Sequence, residues 1–405
     1  MITIITDKMV FGGNCIAKIN GKNVFVPYAI PGEKLDIEIT DSKPDYDTGK
    51  IVKIVEPAAS RVEPICPLYM KCGGCNMMHI EAEAQKQFRK EILKNCFERN
   101  GIQVPEITVI SGSNLNYRAR FQLNDGGLSE KSSNRTIPVE NCAVAEPMVN
   151  KWFKDTPVEN RPKGRCHLFC SDKVISSGGK EGVKSALSEE QKIQKDNFAD
   201  LKKKNRNIKQ TKKRYSGTQL SVQDIVTVNL LGKNVSFDVR GFFQSNLEVL
   251  EKSITEICRG LTGTTVLDMY AGCGTFSVFL ADYFKKVTLV EHNRDALVFA
   301  EQNLVGKPHE SYGLSGEKWA EANPDAYFDA VVIDPPRSGM ERGVRNYLKK
   351  SGIPQIRSVS CDPATHARDI ADLVNAGYRL EKLYLLDFYP NTSHIESLAV
   401  LTKEI

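Results

Sequence analysis

From Ile16 to Val55 apolar and polar residues alternate in short runs broken by turn residues: IAKI, Asn20-Gly21, NVFVP, Pro31-Gly32, KLDIEI and finally KIVKIV. Alternation with a period of two turns one face of each run toward a core, and Asn-Gly between two runs is a strong hairpin signal because both residues tolerate positive φ. Four or five short strands in about fifty residues predict a small closed barrel, an architecture often used to hold nucleic acid. A helical pattern follows from about Glu81 to Asn100, closed by Gly101. Tyr117 to Phe169 reads as β-rich and irregular, and strand character returns with SVQDIVTVNLLG as far as about Arg240. From Gly241 onward apolar strands alternate with helices: TVLDMY, a helix from about Thr275, KVTLVE, a helix from Arg294, AVVID, SVSC, a helix from about Ala364, then LYLLDF and HIESLAVL. That order predicts an α/β fold with a doubly wound, mostly parallel sheet, its last two runs forming an antiparallel hairpin at one end.

The 405 residues exceed what one hydrophobic core usually serves, so two or three domains are expected. No apolar run approaches the roughly 18 residues of a membrane span, and the N-terminus lacks a basic region followed by an apolar core, which predicts a cytoplasmic protein without membrane contact. The net charge of +5 is concentrated: Lys180 to Arg214 holds twelve Lys and Arg against five Asp and Glu. Such a run is either a solvated insertion or a phosphate-contacting one. Eleven cysteines in this setting point to ligands, nucleophiles and core residues rather than disulfides.

In Val266 to Phe276 an apolar strand enters a Gly-x-Gly turn, Gly272 and Gly274, that opens a helix, and Glu291 closes the next strand nineteen residues after Gly272. Glycines admit a ligand close to the backbone, and a strand-end acid can hold ribose hydroxyls. The longer dinucleotide fingerprint is missing, since Ser277 stands where its third glycine would be, and S-adenosylmethionine is the favoured ligand. Asp334 ends AVVID before Pro335-Pro336-Arg337, and Cys361 ends SVS before Asp362-Pro363. Parallel sheets bind ligands at the carboxyl ends of their strands, so these residues should converge. A thiol beside a methyl donor suits uracil, whose C5 becomes nucleophilic once a thiolate adds to C6. A base must then take the C5 proton, and Glu396, in HIES, is the candidate, with His394 beside it. Cys66-x5-Cys72-x2-Cys75 offers three thiolates suited to zinc or to an iron–sulfur cluster, while Cys166 and Cys170 flank His167 as weaker candidates.

CPLYMKCGGC, GFFQSN, LDMYAGCGTF, VEHN, DPPRSGM, SCDPATHARD and HIESLAVL together resemble the RNA 5-methyluridine methyltransferases, specifically their iron–sulfur-containing 23S rRNA branch. The resemblance implies Cys361 as nucleophile and Glu396 as proton acceptor. It places Gln244, Tyr270, Glu291 and Asp334 in the S-adenosylmethionine pocket, and makes Cys142 the fourth ligand, with Cys66, Cys72 and Cys75, of a 4Fe-4S cluster. It also implies a TRAM-like RNA-binding barrel over 1–58 and a central cluster domain over 59–80 and 115–240, carrying the Lys-rich insertion at about 175–215. A discontinuous methyltransferase domain over 81–114 and 241–405 completes a protein expected to be a monomer. Transfer RNA, modified at its T-loop uridine, is the alternative substrate, and a noncatalytic iron–sulfur RNA-binding protein the alternative class.

Overall fold

The computed structural model describes residues 1–133, 135–177 and 224–403; beyond residue 177 the expected Lys-rich insertion lies outside them. The N-terminal sheet has six strands, Ile2–Ile5, Lys8–Met9, Asn14–Ile19, Lys22–Pro27, Lys34–Ser42 and Tyr46–Glu56. Asn20 and Gly21 join two of them at φ of 50° and 84°, the pair of positive angles that lets a tight hairpin follow the strand twist. The sheet's two end strands are successive in the chain, and the link between them ties both sides together, Thr6 N donating to Glu33 O and Asp7 N to Ile16 O. Every second residue, including Cys15, Ala17, Val24, Val26, Leu35 and Ile37, is buried inside. The first two strands were not expected, because segments this short carry too little alternation to register.

The large sheet runs, edge to edge, His309–Tyr312, Lys286–Val290, Thr265–Met269, Ala330–Ile333, Gln355–Ser360, Glu396–Thr402, Arg379–Leu386 and Ile107–Ile110. The first five are parallel, and Glu396–Thr402 runs antiparallel to both its neighbours. The expected terminal hairpin is present but does not end the sheet: Ile107–Ile110 adds in parallel beyond it. Helix Ala82–Arg99 packs against helix Pro363–Val374, so the early segment and the C-terminal sheet share one core. Asp362 caps that second helix, accepting from Ala364 N at 3.0 Å and Thr365 N at 2.9 Å, with Pro363 in the first turn.

Between these parts lies a three-stranded sheet of Arg120–Asn124, Arg165–Cys170 and Val174–Ser176, with a hairpin of Ile225–Leu230 and Lys233–Asp238. Helix Pro147–Asp155, unexpected in a stretch read as β-rich, buries Val149 and Phe153 in the same core. Phe243 stacks on Phe237 with ring centroids 3.9 Å apart, anchoring the segment that presents Gln244 to the large sheet.

Candidate functional site

Strand Thr265–Met269 ends in a turn with Tyr270, Gly272 and Gly274 at φ of 65°, 57° and 79°. The two glycines serve different needs. A Cβ on Gly274 would stand 3.0 Å from Ala300 Cβ, so this position is set by helix contact, whereas one on Gly272 would meet nothing within 4 Å and faces open space. That open backbone is a cradle suited to a close ligand. Glu291, buried at the end of the next strand, accepts from Gly272 N at 2.9 Å and Asn293 N at 2.5 Å, which fixes the turn and leaves lone pairs for hydroxyls. Asp268 lies beneath, its Oδ2 accepting from Ser277 and its Oδ1 buried without a protein partner; burial raises its carboxyl to about 7. The Tyr270 hydroxyl donates to Glu341 at 3.3 Å. These groups suit a polar, hydroxyl-bearing ligand such as S-adenosylmethionine.

Cys361 and Glu396 come together through strand register. Ser360 lies opposite Ser397 in the antiparallel pair, so the adjoining residues, Cys361 at one strand's end and Glu396 at the other's start, occupy the same edge. Cys361 is half-buried; burial and then the Glu396 and Asp334 carboxyls push its thiol up to about 11, with Arg337 opposing. Glu396 is 5% exposed, and burial and then Asp334 raise its carboxyl to about 8, against a hydrogen bond from Gln244 Nε2 at 3.3 Å and the charge of Arg337. Tyr389 donates to Gln244 Oε1 at 3.3 Å, which orients the amide toward the acid. Asp334, half-buried, is raised by burial to about 7. The edge thus holds a thiol, two reluctant acids and one exposed guanidinium.

Cys66, Cys72, Cys75 and Cys142 line one cavity of about 220 Å³ together with Tyr69, Arg118 and Phe121. Among the described residues no three His, Cys, Asp or Glu side chains close on a single ion position. Burial first, and then neighbouring thiols, raise Cys75 to about 12, while the Arg118 guanidinium works in the opposite direction. Cys166 and Cys170, on strand Arg165–Cys170, are buried in the central core apart from this cavity.

Several residues around the site have roles that no motif states, although Arg337 and His366 lie within DPPRSGM and SCDPATHARD. Arg337 was noted only as the residue after the two prolines. His366, buried, bridges the two site-bearing strands, with Nδ1 2.7 Å from Ser397 Oγ and Nε2 3.2 Å from Ser358 Oγ. Glu341 and Tyr389 act as hydrogen-bond partners of Tyr270 and Gln244, relations that only folding creates.

Family models match three parts of the chain: residues 3–52 the TRAM domain, 247–347 the methyltransferase small domain, and 320–404 the tRNA (uracil-5-)-methyltransferase family. A Treponema denticola protein named as an uncharacterized RNA methyltransferase is 36% identical over 438 aligned residues, covering 98% of each chain. The 23S rRNA (uracil(1939)-C(5))-methyltransferase RlmD of Shewanella sp. (strain ANA-3) is 28% identical, covering 96% of this chain and 92% of its own. The crystal structure of Pyrococcus abyssi tRNA (uracil-54, C5)-methyltransferase with S-adenosyl-L-homocysteine shares the fold, at a TM-score of 0.71 and 20% identity over 99% of this chain and all of that one. No helix among the described residues is long and apolar enough to cross a membrane. With a near-full-length relative at 36% identity and a TRAM barrel joined to a methyltransferase sheet, the chain belongs to the RNA uracil-5-methyltransferase family and is an S-adenosylmethionine-dependent enzyme.

Proposed function

We propose that this enzyme methylates C5 of a uridine in 23S rRNA, with Cys361 as nucleophile and Glu396 as base. The observation that carries the reading is the antiparallel register that brings the end of Gln355–Ser360 to the start of Glu396–Thr402. Cys361 Sγ, as thiolate, bonds to C6, and the C5–C6 π pair moves onto C5 as an enolate. Gln244, Tyr270, Glu291 and Asp334 would hold S-adenosylmethionine, which when bound would supply an electrophilic methyl group to C5 and leave as S-adenosylhomocysteine. Glu396 then takes the C5 proton, the double bond re-forms, and Cys361 leaves as thiolate. A thiol at about 11 is mostly protonated at neutral pH, and Arg337 is the charge that favours its ionised form.

The domain division that goes with this reading is the barrel over 1–58, a central domain over 59–80 and 115–240, and the methyltransferase domain over 81–114 and 241–405. The choice of 23S rRNA rests on relatives spanning almost the whole chain, such as the Shewanella enzyme. Cys66, Cys72, Cys75 and Cys142 would hold a 4Fe-4S cluster. All four line one cavity whose lining, among the described residues, has no His, Asp or Glu, and four thiolates suit such a cluster or a zinc ion. The cluster would supply a rigid, negatively charged cross-link between the two cysteine segments, with Arg118 beside it to balance charge.

The test is to incubate protein with S-adenosylmethionine and RNA bearing 5-fluorouridine. The expected result is a denaturant-stable protein–RNA adduct that Cys361→Ala cannot form, since fluorine replaces the proton Glu396 must remove. Folded wild-type protein that forms no adduct, on ribosomal or transfer RNA fragments, defeats the proposal. Iron and acid-labile sulfide in anaerobically purified protein would support the cluster, and stoichiometric zinc would refute it.

A further inference from the structure

The loop from Asp387 to Ile395 carries the chain out of strand Arg379–Leu386 and delivers it to Glu396. Gln85 and Asn114 hold its middle through Asn391, and Tyr117 through Pro390 O, while Asn76 holds the part that enters Glu396. Asn76, next to Cys75, uses both ends of its amide: Oδ1 accepts from Ser393 N at 2.8 Å, and Nδ2 donates to Ser393 Oγ at 2.9 Å and to Gly12 O of the barrel at 3.2 Å. The Asn76 and Met77 amides both donate to Asn391 O, at 3.1 Å and 3.0 Å. The barrel backbone also presses on the same spot, since a Cβ on Gly13 would stand 2.9 Å from Ser393 Cβ. Three parts of the molecule, the barrel, the cysteine segment and the strand entry bearing Glu396, thus meet at one amide.

We infer that Asn76 is a positioning residue for Glu396, fastening the barrel and cysteine segment to the loop that sets the base in place, so that proton removal and product release run at full rate only while all three are docked. This rests on the reading of Glu396 as the base. Its carboxyl is buried and takes its orientation from the 3.3 Å bond to Gln244. A shift of about 1 Å in such a group costs about 10²-fold in rate. Addition of Cys361 to the ring uses another strand end, so the inference separates two steps that a general loss of fold would damage together.

The experiment compares full-length Asn76→Ala with wild type on two RNAs. With 5-fluorouridine RNA, where release is blocked for every enzyme, the variant should form adduct to the wild-type extent. With ordinary uridine RNA its turnover should fall by about 10²-fold, and a denaturant-stable conjugate absent from wild type should accumulate. Asn76→Asp keeps the acceptor for Ser393 N but has no donor for Gly12 O, so it should remain slow in release. Wild-type turnover in Asn76→Ala, or parallel loss of both reactions, overturns the inference, as does an Asp variant that releases product at the wild-type rate. If Asn76→Ala does not fold, Ser393→Ala, which removes a single bond to the amide, should show a smaller accumulation of the same conjugate; none would overturn it. Failure of wild type to form the fluorinated adduct is a different result, which removes the proposed mechanism itself.

Discussion

At the scale of single residues, the site is a cluster of acids and a thiol held against their ionised forms. Because burial and Asp334 raise Glu396 from 4.5 to about 8, its base form is scarce at neutral pH. The turnover rate should therefore climb through about pH 8 as Glu396 ionises and go on climbing toward about 11, the value for the Cys361 thiol, which a pH–rate profile under saturating RNA would check. The same shift affects stability with a definite sign. The folded carboxyl keeps a proton that the unfolded chain has already released, so between about 4.5 and about 8 its contribution to stability declines as pH rises. Glu396→Gln should flatten that decline in thermal unfolding. Above about pH 8, where Glu396 is ionised, its charge opposes ionisation of Cys361, so at about pH 9 the Glu396→Gln thiol should react with iodoacetamide faster than wild type. Equal rates would mean that the two groups do not face each other in solution.

At the scale of elements, the proposed chemistry depends on two strand ends and the helix that follows one of them. Asp362 ends the turn after Cys361 and satisfies two free amides at the start of helix Pro363–Val374. Asp362→Ala should cost about 1 kcal/mol, seen as a small drop in the unfolding midpoint, with a larger effect on turnover because the thiol sits at the same turn. His366 on that helix holds Ser358 and Ser397 at once, bracing neighbouring strands through a neutral imidazole that burial pushes far below its usual range, to about 3. His366→Phe keeps the bulk but abandons two buried hydroxyls, and should destabilise by about 1–3 kcal/mol in urea unfolding.

At the scale of the whole molecule, distant segments are joined by buried polar contacts. Arg89, from the early helix, approaches Asp387 at 2.8 Å, and both side chains are at most 1% exposed. Removing one partner leaves an unpaired buried charge, so Arg89→Ala should lose about 3–5 kcal/mol by chemical denaturation. A loss below about 1 kcal/mol would show that water enters the gap. The four cysteines bring residues 66 to 75 and residue 142 around one cavity, and the proposed cluster would make them a second cross-link. Replacing Cys142 by Ser should bleach the brown colour expected of anaerobically purified protein and lower its unfolding midpoint.

How much of this was legible in the chain follows from the range of each signal. The hairpin at Asn20-Gly21, the capped helix after Asp362, the glycine turn at Gly272 and the acid at Glu291 depend on a few adjacent residues, so local chemistry determined them. Cys361 and Glu396 could be singled out as residue types at strand ends. Their meeting could not be read so directly, because it comes from an antiparallel strand inserted inside the sheet in one register. The edge strand Ile107–Ile110 was missed for the same reason: four apolar-alternating residues do not state which of eight strands they join. The amide of Asn76, the guanidinium of Arg337 and the imidazole of His366 act on partners tens to hundreds of positions away in the chain, and only the packed fold brings those partners within hydrogen-bond or electrostatic reach. Sequence determined the strongly patterned elements and the candidate groups; tertiary structure decided the short elements and every group's neighbours, since burial and proximity exist only once the chain has closed on itself.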